Sequence, residues 1–136
     1  MPTDAAKQPR LKIRVRPPVI QEKPESSSAV PESVAMFLAH LEMEKGYSAA
    51  TLAAYGEDMA DFTRVLSEEG VPVSEPASVE RRHVQRYLAD MHRRGMAKSS
   101  MGRRLSTLRG FFRFCARLRL VKALPTEGIR NPKQDK

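Results

Sequence analysis

The sequence predicts an all-α protein with four helices, and three observations lead to that fold class. Apolar residues recur at spacings of three and four along four successive segments, which is the period of a helix with one buried face. Glycine or proline separates each segment from the next. No strand pattern follows Val30. The length of 136 residues and the hydrophobic share of 40% fit one globular domain with tails.

Residues 1–29 precede the helices. Their basic composition, rich in proline and serine, predicts a disordered arm. Five prolines in this segment oppose helix formation. The stretch Leu11–Arg16 alternates apolar and basic residues, which fits a short strand if a partner supplies an edge. We favour a flexible arm whose positive charge attracts DNA without sequence preference.

The first two helices have recognisable starts and stops. We predict the first over Pro31–Lys45, because proline suits a first helical turn and Gly46 favours termination. The second begins after Ser48, a good N-cap, and ends before Gly70.

The residues predicted to fill the core across all four helices are Phe37, Leu41, Leu52, Phe62, Leu88, Leu105, Leu108 and Phe112.

A proline-containing loop over Val71–Ala77 separates the two halves of the predicted bundle. The third helix is expected over Val79–Arg94 with Ser78 as its N-cap, and Gly95 follows it. A tight connection then leads into the fourth helix, Ser99–Arg119.

The fourth predicted helix has two opposite faces. Its apolar stripe consists of Met101, Leu105, Leu108, Phe112 and Cys115. Its opposite face consists of Ser99, Arg103, Ser106, Gly110, Arg113 and Arg117, with Arg109 at the edge.

Between Lys98 and Leu124 there are eight Lys or Arg residues and no Asp or Glu. Arginine binds phosphates and guanine edges through two hydrogen bonds, and a helix fits the major groove. The pattern predicts DNA binding; a solvated surface face is the alternative, although such faces usually mix charge signs.

Charge is divided unevenly along the chain. The formal net charge is +8, which favours a polyanionic partner. Residues 32–75 hold nine acidic against two basic residues, a net charge of −7, whereas residues 76–136 hold sixteen basic against four acidic residues, a net charge of +12. The basic half is therefore predicted to face double-stranded DNA.

Several kinds of site and location are not indicated. One cysteine allows no internal disulfide, and Cys115 is expected to be a small buried hydrophobe rather than a reactive thiol. Three scattered histidines predict no metal site, no glycine-rich phosphate loop is present, and we expect no cofactor. No apolar run reaches the roughly 18 residues of a membrane span, and no signal sequence is evident. We expect a cytoplasmic protein without membrane contact.

The helical pattern ends at Leu124, so the predicted core domain spans residues 30–124. Residues 125–136 are polar and turn-forming, which predicts a linker toward a further domain.

Three stretches carry a family resemblance: Phe37–Phe62, the run from Val84 through Gly95 to Phe112, and the exit Asn131–Lys133. Together they resemble the N-terminal core-binding domain of phage-integrase-type tyrosine recombinases, with a pattern most similar to the Xer recombinases. The resemblance implies a SAM-like orthogonal bundle of four helices on one side of a duplex, with a separate catalytic domain on the other side. It also implies that the second and fourth helices face the major groove.

The resemblance and the basic face together give a set of DNA-facing candidates. These are Ser48, Thr51, Lys98, Ser99, Ser100, Arg103, Arg104, Ser106, Arg109 and Arg113. Ser48 and Ser99 fit helix capping as well as phosphate binding, and Arg104 lies on the shoulder of the apolar stripe. The acidic residues expected to face outward from the second helix, away from DNA, are Glu57, Asp58, Asp61, Glu68 and Glu69.

The resemblance places the catalytic tyrosine, arginines and histidines of the family in a domain outside this chain. His83 and Arg86 match the family's His-x-x-Arg spacing, but they lie in the predicted third helix and we interpret the match as coincidence. The leading hypothesis is the DNA-binding domain of a site-specific recombinase, without cleavage activity of its own. Its partners are double-stranded DNA and other recombinase protomers in a synaptic complex, and the isolated domain is expected to be a monomer. The alternatives are a stand-alone accessory DNA-binding protein and a helical protein-interaction module that uses the acidic surface Glu57–Glu75.

Overall fold

The computed structural model describes residues 30–133, so the predicted N-terminal arm lies outside the described residues. Its elements are α1 (Glu32–Lys45), α2 (Ala49–Glu68), a one-turn 3₁₀ helix (Pro76–Ser78), α3 (Arg81–Arg93) and α4 (Lys98–Arg117). No strand occurs between residues 30 and 133. The all-α fold class is confirmed, and the four helices match a SAM-like domain.

The turn between α1 and α2 has the expected stop and start. Gly46 adopts φ 67°, a left-handed conformation that glycine tolerates without steric cost, and its N–H donates to the carbonyl oxygen of Leu41. Two residues later the Ser48 Oγ accepts a hydrogen bond from the backbone N–H of Thr51 at 3.2 Å. These contacts reverse the chain sharply and bring the first turn of α2 beside α4.

The predicted start of α3 is wrong. Ser78 lies in the 3₁₀ turn instead of capping α3, because Pro76 starts a short turn of its own and Val79 is extended and buried. The helix begins two residues later, at Arg81, and Glu80 occupies the N-cap position. Its backbone N–H donates to Nδ1 of His83 at 2.9 Å.

Aromatic side chains make up the centre of the core. The ring pairs Phe37–Phe111, Phe62–Tyr87 and Phe62–Phe112 meet edge to face, with centroid separations of 5.6, 5.2 and 6.1 Å. Such pairs contribute about 0.5–1.5 kcal/mol each beyond the area they bury. They help to fix the crossing of α1 and α2 with α4 and of α3 with α2.

The predicted core is mostly confirmed. Of the eight residues, Phe37, Leu41, Phe62, Leu105, Leu108 and Phe112 are buried. Leu52 and Leu88 are only partly buried and pack at the margin of the core. The buried face of α4 is wider than the predicted stripe and includes Phe111 and Phe114, because α4 packs against α1 as well as α2.

The chain leaves α4 through a turn that packs back on the domain. Arg119 has φ 63°, which reverses the chain after the helix. Thr126 and Ile129, in the segment that we expect to act as a linker, are buried against the bundle. Among the described residues, no helix combines the length and apolar character needed to cross a bilayer.

Candidate nucleic-acid interface

The candidate interface lies where the first turn of α2 meets the outer face of α4. A cleft of about 360 Å³ opens there, and it brings together three of the predicted DNA-facing residues, Thr51, Arg103 and Ser106. Its lining comprises Ala50, Thr51, Ala54, Tyr55, Asp58, Arg103, Ser106 and Thr107. The small side chains of α2 at this point allow the two helices to approach closely.

The helix N-termini at the cleft differ in how they are capped. Ser48 caps α2 and also donates from Oγ to the Thr51 Oγ1 at 3.0 Å, so the two exposed hydroxyls are coupled. Ala97 occupies the N-cap position of α4 and has no side-chain acceptor. Ser99 is exposed within the first turn, so it does not cap α4. The first turn of α4 therefore points uncapped N–H groups and a positive dipole end outward, a favourable place for a phosphate.

Arg103 is half-exposed and bound at one nitrogen. Its Nη2 donates to Oδ1 of Asp58 at 2.7 Å, while 52% of the side-chain surface remains accessible. Asp58 itself is only 1% exposed, and its Oδ2 accepts a hydrogen bond from the Thr107 hydroxyl at 2.8 Å. A carboxylate from α2 thus lies directly beneath an arginine on the basic face of α4.

The prediction that Asp58 and Asp61 face outward is wrong. Both carboxylates contact α4, Asp58 through Arg103 and Asp61 through Arg104. The sequence did contain a signal for Asp58, since it follows Tyr55 by three residues and precedes Phe62 by four, which places it on the apolar stripe of α2. The acidic surface available to the protein-interaction alternative is smaller by these two residues.

Asp61 is the centre of an ion-pair network that joins α2, α3 and α4. Its Oδ2 accepts from the Tyr87 hydroxyl at 2.7 Å, from Arg94 at 2.8 Å and from Arg104 at 3.0 Å. Its Oδ1 accepts from Arg64 at 2.8 Å. Burial acts to raise the pKa of Asp61, but hydrogen bonds from Arg94, Tyr87 and Arg64 outweigh it and hold the pKa well below 3.8.

Two arginines of the predicted DNA-facing set have partners inside the domain. The Arg104 side chain is only 19% exposed and is held by Asp61. Arg109 is partly buried, and it donates to the Ile129 carbonyl oxygen and to Oδ1 of Asn131, both at 2.7 Å. Both guanidinium groups donate hydrogen bonds to acceptors of the domain itself and so contribute to the fold.

A second cleft of about 630 Å³ adjoins the first and shares Tyr55 and Ser106 with it. Lys45 and Arg113 lie on its rim, and Arg113 is exposed. No ion pair involves Arg113 or Lys98 among residues 30–133. Both residues are exposed positive charges on α4 that no carboxylate of the described residues holds.

Seven members of the predicted set are exposed on or beside α2 and α4. They are Ser48, Thr51, Lys98, Ser99, Arg103, Ser106 and Arg113, with Ser100 partly exposed. No acidic residue occurs within α4. Their chemistry, hydroxyls at two helix starts followed by ammonium and guanidinium groups, suits a phosphate backbone and base edges.

His83, Arg86 and Cys115 have structural contacts. The His83 ring caps α3, while Arg86 forms an ion pair with Glu69, the C-cap residue of α2. Cys115 is fully buried, and burial raises the pKa of its thiol to about 11. The thiol is therefore protonated near neutral pH, and the prediction of a buried hydrophobe at this position is confirmed.

The pH dependence of the unfolding free energy gives a first test of the ion-pair network around Asp61. Because the pKa of Asp61 is lower in the folded state, its stabilising contribution is complete above 3.8, the ordinary pKa, and is lost as the pH falls below that value. We expect the difference in unfolding free energy between the wild type and Asp61→Asn to shrink between about pH 5 and pH 2. Urea denaturation across this range measures it, and a difference that stays constant would contradict the assignment.

Comparison with known proteins agrees with this geometry. Residues 34–118 match the protein family described as phage integrase, N-terminal SAM-like domain. That range runs from α1 to the end of α4 and includes the whole α2–α4 junction.

Relatives described as tyrosine recombinase XerC match the same part of the chain. The protein of Bacillus pumilus is 33% identical over 103 residues, which cover 76% of this chain and 33% of the relative. That of Lacticaseibacillus casei is 35% identical over 101 residues, covering 74% and 34%. That of Xylella fastidiosa is 37% identical over 97 residues, covering 71% and 32%. The chain thus spans about a third of the length of these relatives, and no solved structure gives a significant match.

Proposed function

The chain belongs to the phage integrase N-terminal SAM-like domain family, and we propose that it is the DNA-binding domain of a tyrosine recombinase, which holds duplex DNA against the α2–α4 junction. The observation that carries this proposal is the composition of α4: exposed Lys98, Arg103 and Arg113 on a helix with no acidic residue. The name shared by the relatives, tyrosine recombinase, supports it.

In this proposal the two helices have different tasks. The start of α2, with Ser48 and Thr51, contacts phosphates and sets the register of the domain on the duplex. The outer face of α4 enters the major groove, where the exposed edge of Arg103 reaches base edges or phosphates. Phosphate contacts supply most of the affinity, and the groove contacts supply preference for particular base pairs.

The proposal extends to the partners and location of the protein. We propose that the domain works together with a catalytic domain and with other recombinase protomers, that it contributes DNA binding and not cleavage, and that it acts in the cytoplasm. Because DNA occupies the α2–α4 junction in this proposal, the protomers contact one another through other surfaces.

The salt dependence of duplex binding tests the proposal. If the interface neutralises about four to six phosphates, the logarithm of the association constant falls with the logarithm of salt concentration at a slope of about −4 to −5. Fluorescence anisotropy of a labelled duplex of about 30 base pairs, titrated with the protein at several salt concentrations, measures this slope. An affinity that does not change with salt, or no binding to the duplex, would refute a DNA-binding role.

A further inference from the structure

We propose that Asp58 is a positioning residue for DNA recognition, which holds Arg103 so that the free edge of its guanidinium faces the duplex. The inference rests on the proposed function and adds to it a buried acidic residue as part of a DNA-binding site. Three observations on the described residues support it. They are the hydrogen bonds that hold Asp58, the free edge of the Arg103 guanidinium, and the effect on DNA affinity that the charge of Asp58 alone would have.

Asp58 is fixed at both carboxylate oxygens. Oδ2 accepts the Thr107 hydroxyl at 2.8 Å, and Oδ1 accepts Nη2 of Arg103 at 2.7 Å. The carboxylate is 1% exposed and lies in the lining of the 360 Å³ cleft. Thr107 belongs to the buried face of α4, so it anchors the carboxylate to the same helix that carries Arg103. The bond from Asp58 thereby fixes one corner of the Arg103 guanidinium relative to α4.

Arg103 combines a buried carboxylate anchor with large exposure of its own side chain. Its side chain is 52% exposed, against 19% for Arg104, and Asp58 engages only its Nη2. Arg109 uses both terminal nitrogens on the exit segment. The Nε and Nη1 edge of Arg103 remains for a ligand. A long side chain that is already held in place loses less conformational freedom on binding.

Charge alone predicts the opposite effect of Asp58. A carboxylate in the lining of a cleft that receives phosphates repels them, and Asp58→Ala raises the formal net charge from +8 to +9. If Asp58 acted only through its charge, removing it would tighten duplex binding. If Asp58 positions Arg103, removing it weakens binding in spite of the added positive charge. The two interpretations differ in sign.

A double-mutant cycle separates these effects. Dissociation constants for a labelled duplex of mixed sequence, about 30 base pairs long, are measured for the wild type, Asp58→Ala, Arg103→Met and the double variant. We expect Arg103→Met to weaken binding about tenfold and Asp58→Ala to weaken it about fivefold. In the Arg103→Met background, Asp58→Ala is expected to cause no further loss, because the Arg103 guanidinium that Asp58 positions is absent.

Thermal unfolding of each variant, monitored by circular dichroism, shows at which temperatures that variant is folded. Binding is measured only at those temperatures. If Asp58→Ala does not fold, Asp58→Asn replaces it: its amide oxygen accepts from Arg103 and its amide nitrogen donates to Thr107. We expect Asp58→Asn to lower affinity about twofold to threefold, again only when Arg103 is present.

The outcomes are distinct. Tighter binding by Asp58→Ala, or an equal loss with and without Arg103, would overturn the positioning role while leaving DNA binding intact. Unchanged affinity in Arg103→Met would also overturn it. If the wild-type protein binds no duplex at all, the proposed function itself fails.

Discussion

Replacing Lys98 and Arg113 together by glutamate is expected to weaken duplex DNA binding about 100-fold. Both side chains are exposed on α4, and neither has an ion-pair partner within residues 30–133. The double substitution lowers the formal net charge from +8 to +4 and places two carboxylates where phosphates are proposed to lie. Because no internal contact of the domain is lost, we expect the unfolding temperature to stay nearly unchanged.

The matched control reverses the same amount of charge on α3. Arg82 and Arg93 are 63% and 73% exposed and form surface ion pairs with Glu80 and Asp90. Such pairs contribute about 0–1 kcal/mol each to stability. Arg82→Glu with Arg93→Glu therefore changes the overall charge equally while leaving the candidate interface untouched. Equal losses of affinity in the two double variants would show that total charge, and not the α2–α4 surface, determines binding.

Charge reversal at Arg103 or Arg109 is a poorer test of the interface. Each of these arginines has a partner inside the domain, Asp58 in one case and the exit segment in the other. A glutamate at either position would remove a structural contact and, at Arg103, would set two carboxylates together. Loss of DNA binding by such a variant would not distinguish a missing DNA contact from a damaged fold.

Replacing Asp61 by alanine is expected to lower the unfolding free energy by about 3–5 kcal/mol. The substitution leaves the Tyr87 hydroxyl, Arg104 and Arg94 without their shared acceptor at the meeting point of three helices. Arg104 is the most affected, because a positive charge with 19% side-chain exposure loses its nearest carboxylate partner at 3.0 Å. Denaturant unfolding at neutral pH measures the loss.

Two further variants show whether the network is the cause. Arg64→Ala removes a contact to Asp61 from a side chain that is 53% exposed, and we expect it to cost less than about 1 kcal/mol. Phe62→Ala truncates a fully buried ring one position further along α2 and is expected to cost about 3–5 kcal/mol. If Asp61→Ala costs no more than Arg64→Ala, the ion-pair network does not stabilise the fold as we describe.

The sequence was sufficient to predict the four helices but not how deeply each side chain is buried. Periodicity identifies the face of a helix that turns inward, and this predicted the burial of Phe62, Leu105 and Phe112. It does not say where along the face the neighbouring helix ends, so Leu52 and Leu88 were placed deeper than they are. The start of α3 was missed for a local reason, since a serine before a helical pattern is a cap only if no other turn precedes it.

The basic face of α4 was visible in the sequence, whereas the partners of its arginines were not. Projection of one helix gives the direction of Arg103, Arg104 and Arg109 and shows that no acid accompanies them on that helix. The carboxylates that bind two of them come from α2, more than forty residues earlier in the chain. Contacts of that kind depend on the crossing of two helices, which the aromatic core sets and a one-dimensional pattern does not contain.

The bonds of Arg109 have a mechanical consequence. The Arg109 guanidinium of α4 donates to both the Ile129 carbonyl oxygen and the Asn131 side chain, so the polypeptide is clamped to α4 twelve residues or more after that helix ends. Any pivot between this domain and a following one would therefore begin after Asn131. In the proposed DNA complex, a rotation of α4 on the duplex would therefore change the direction in which the chain leaves the domain.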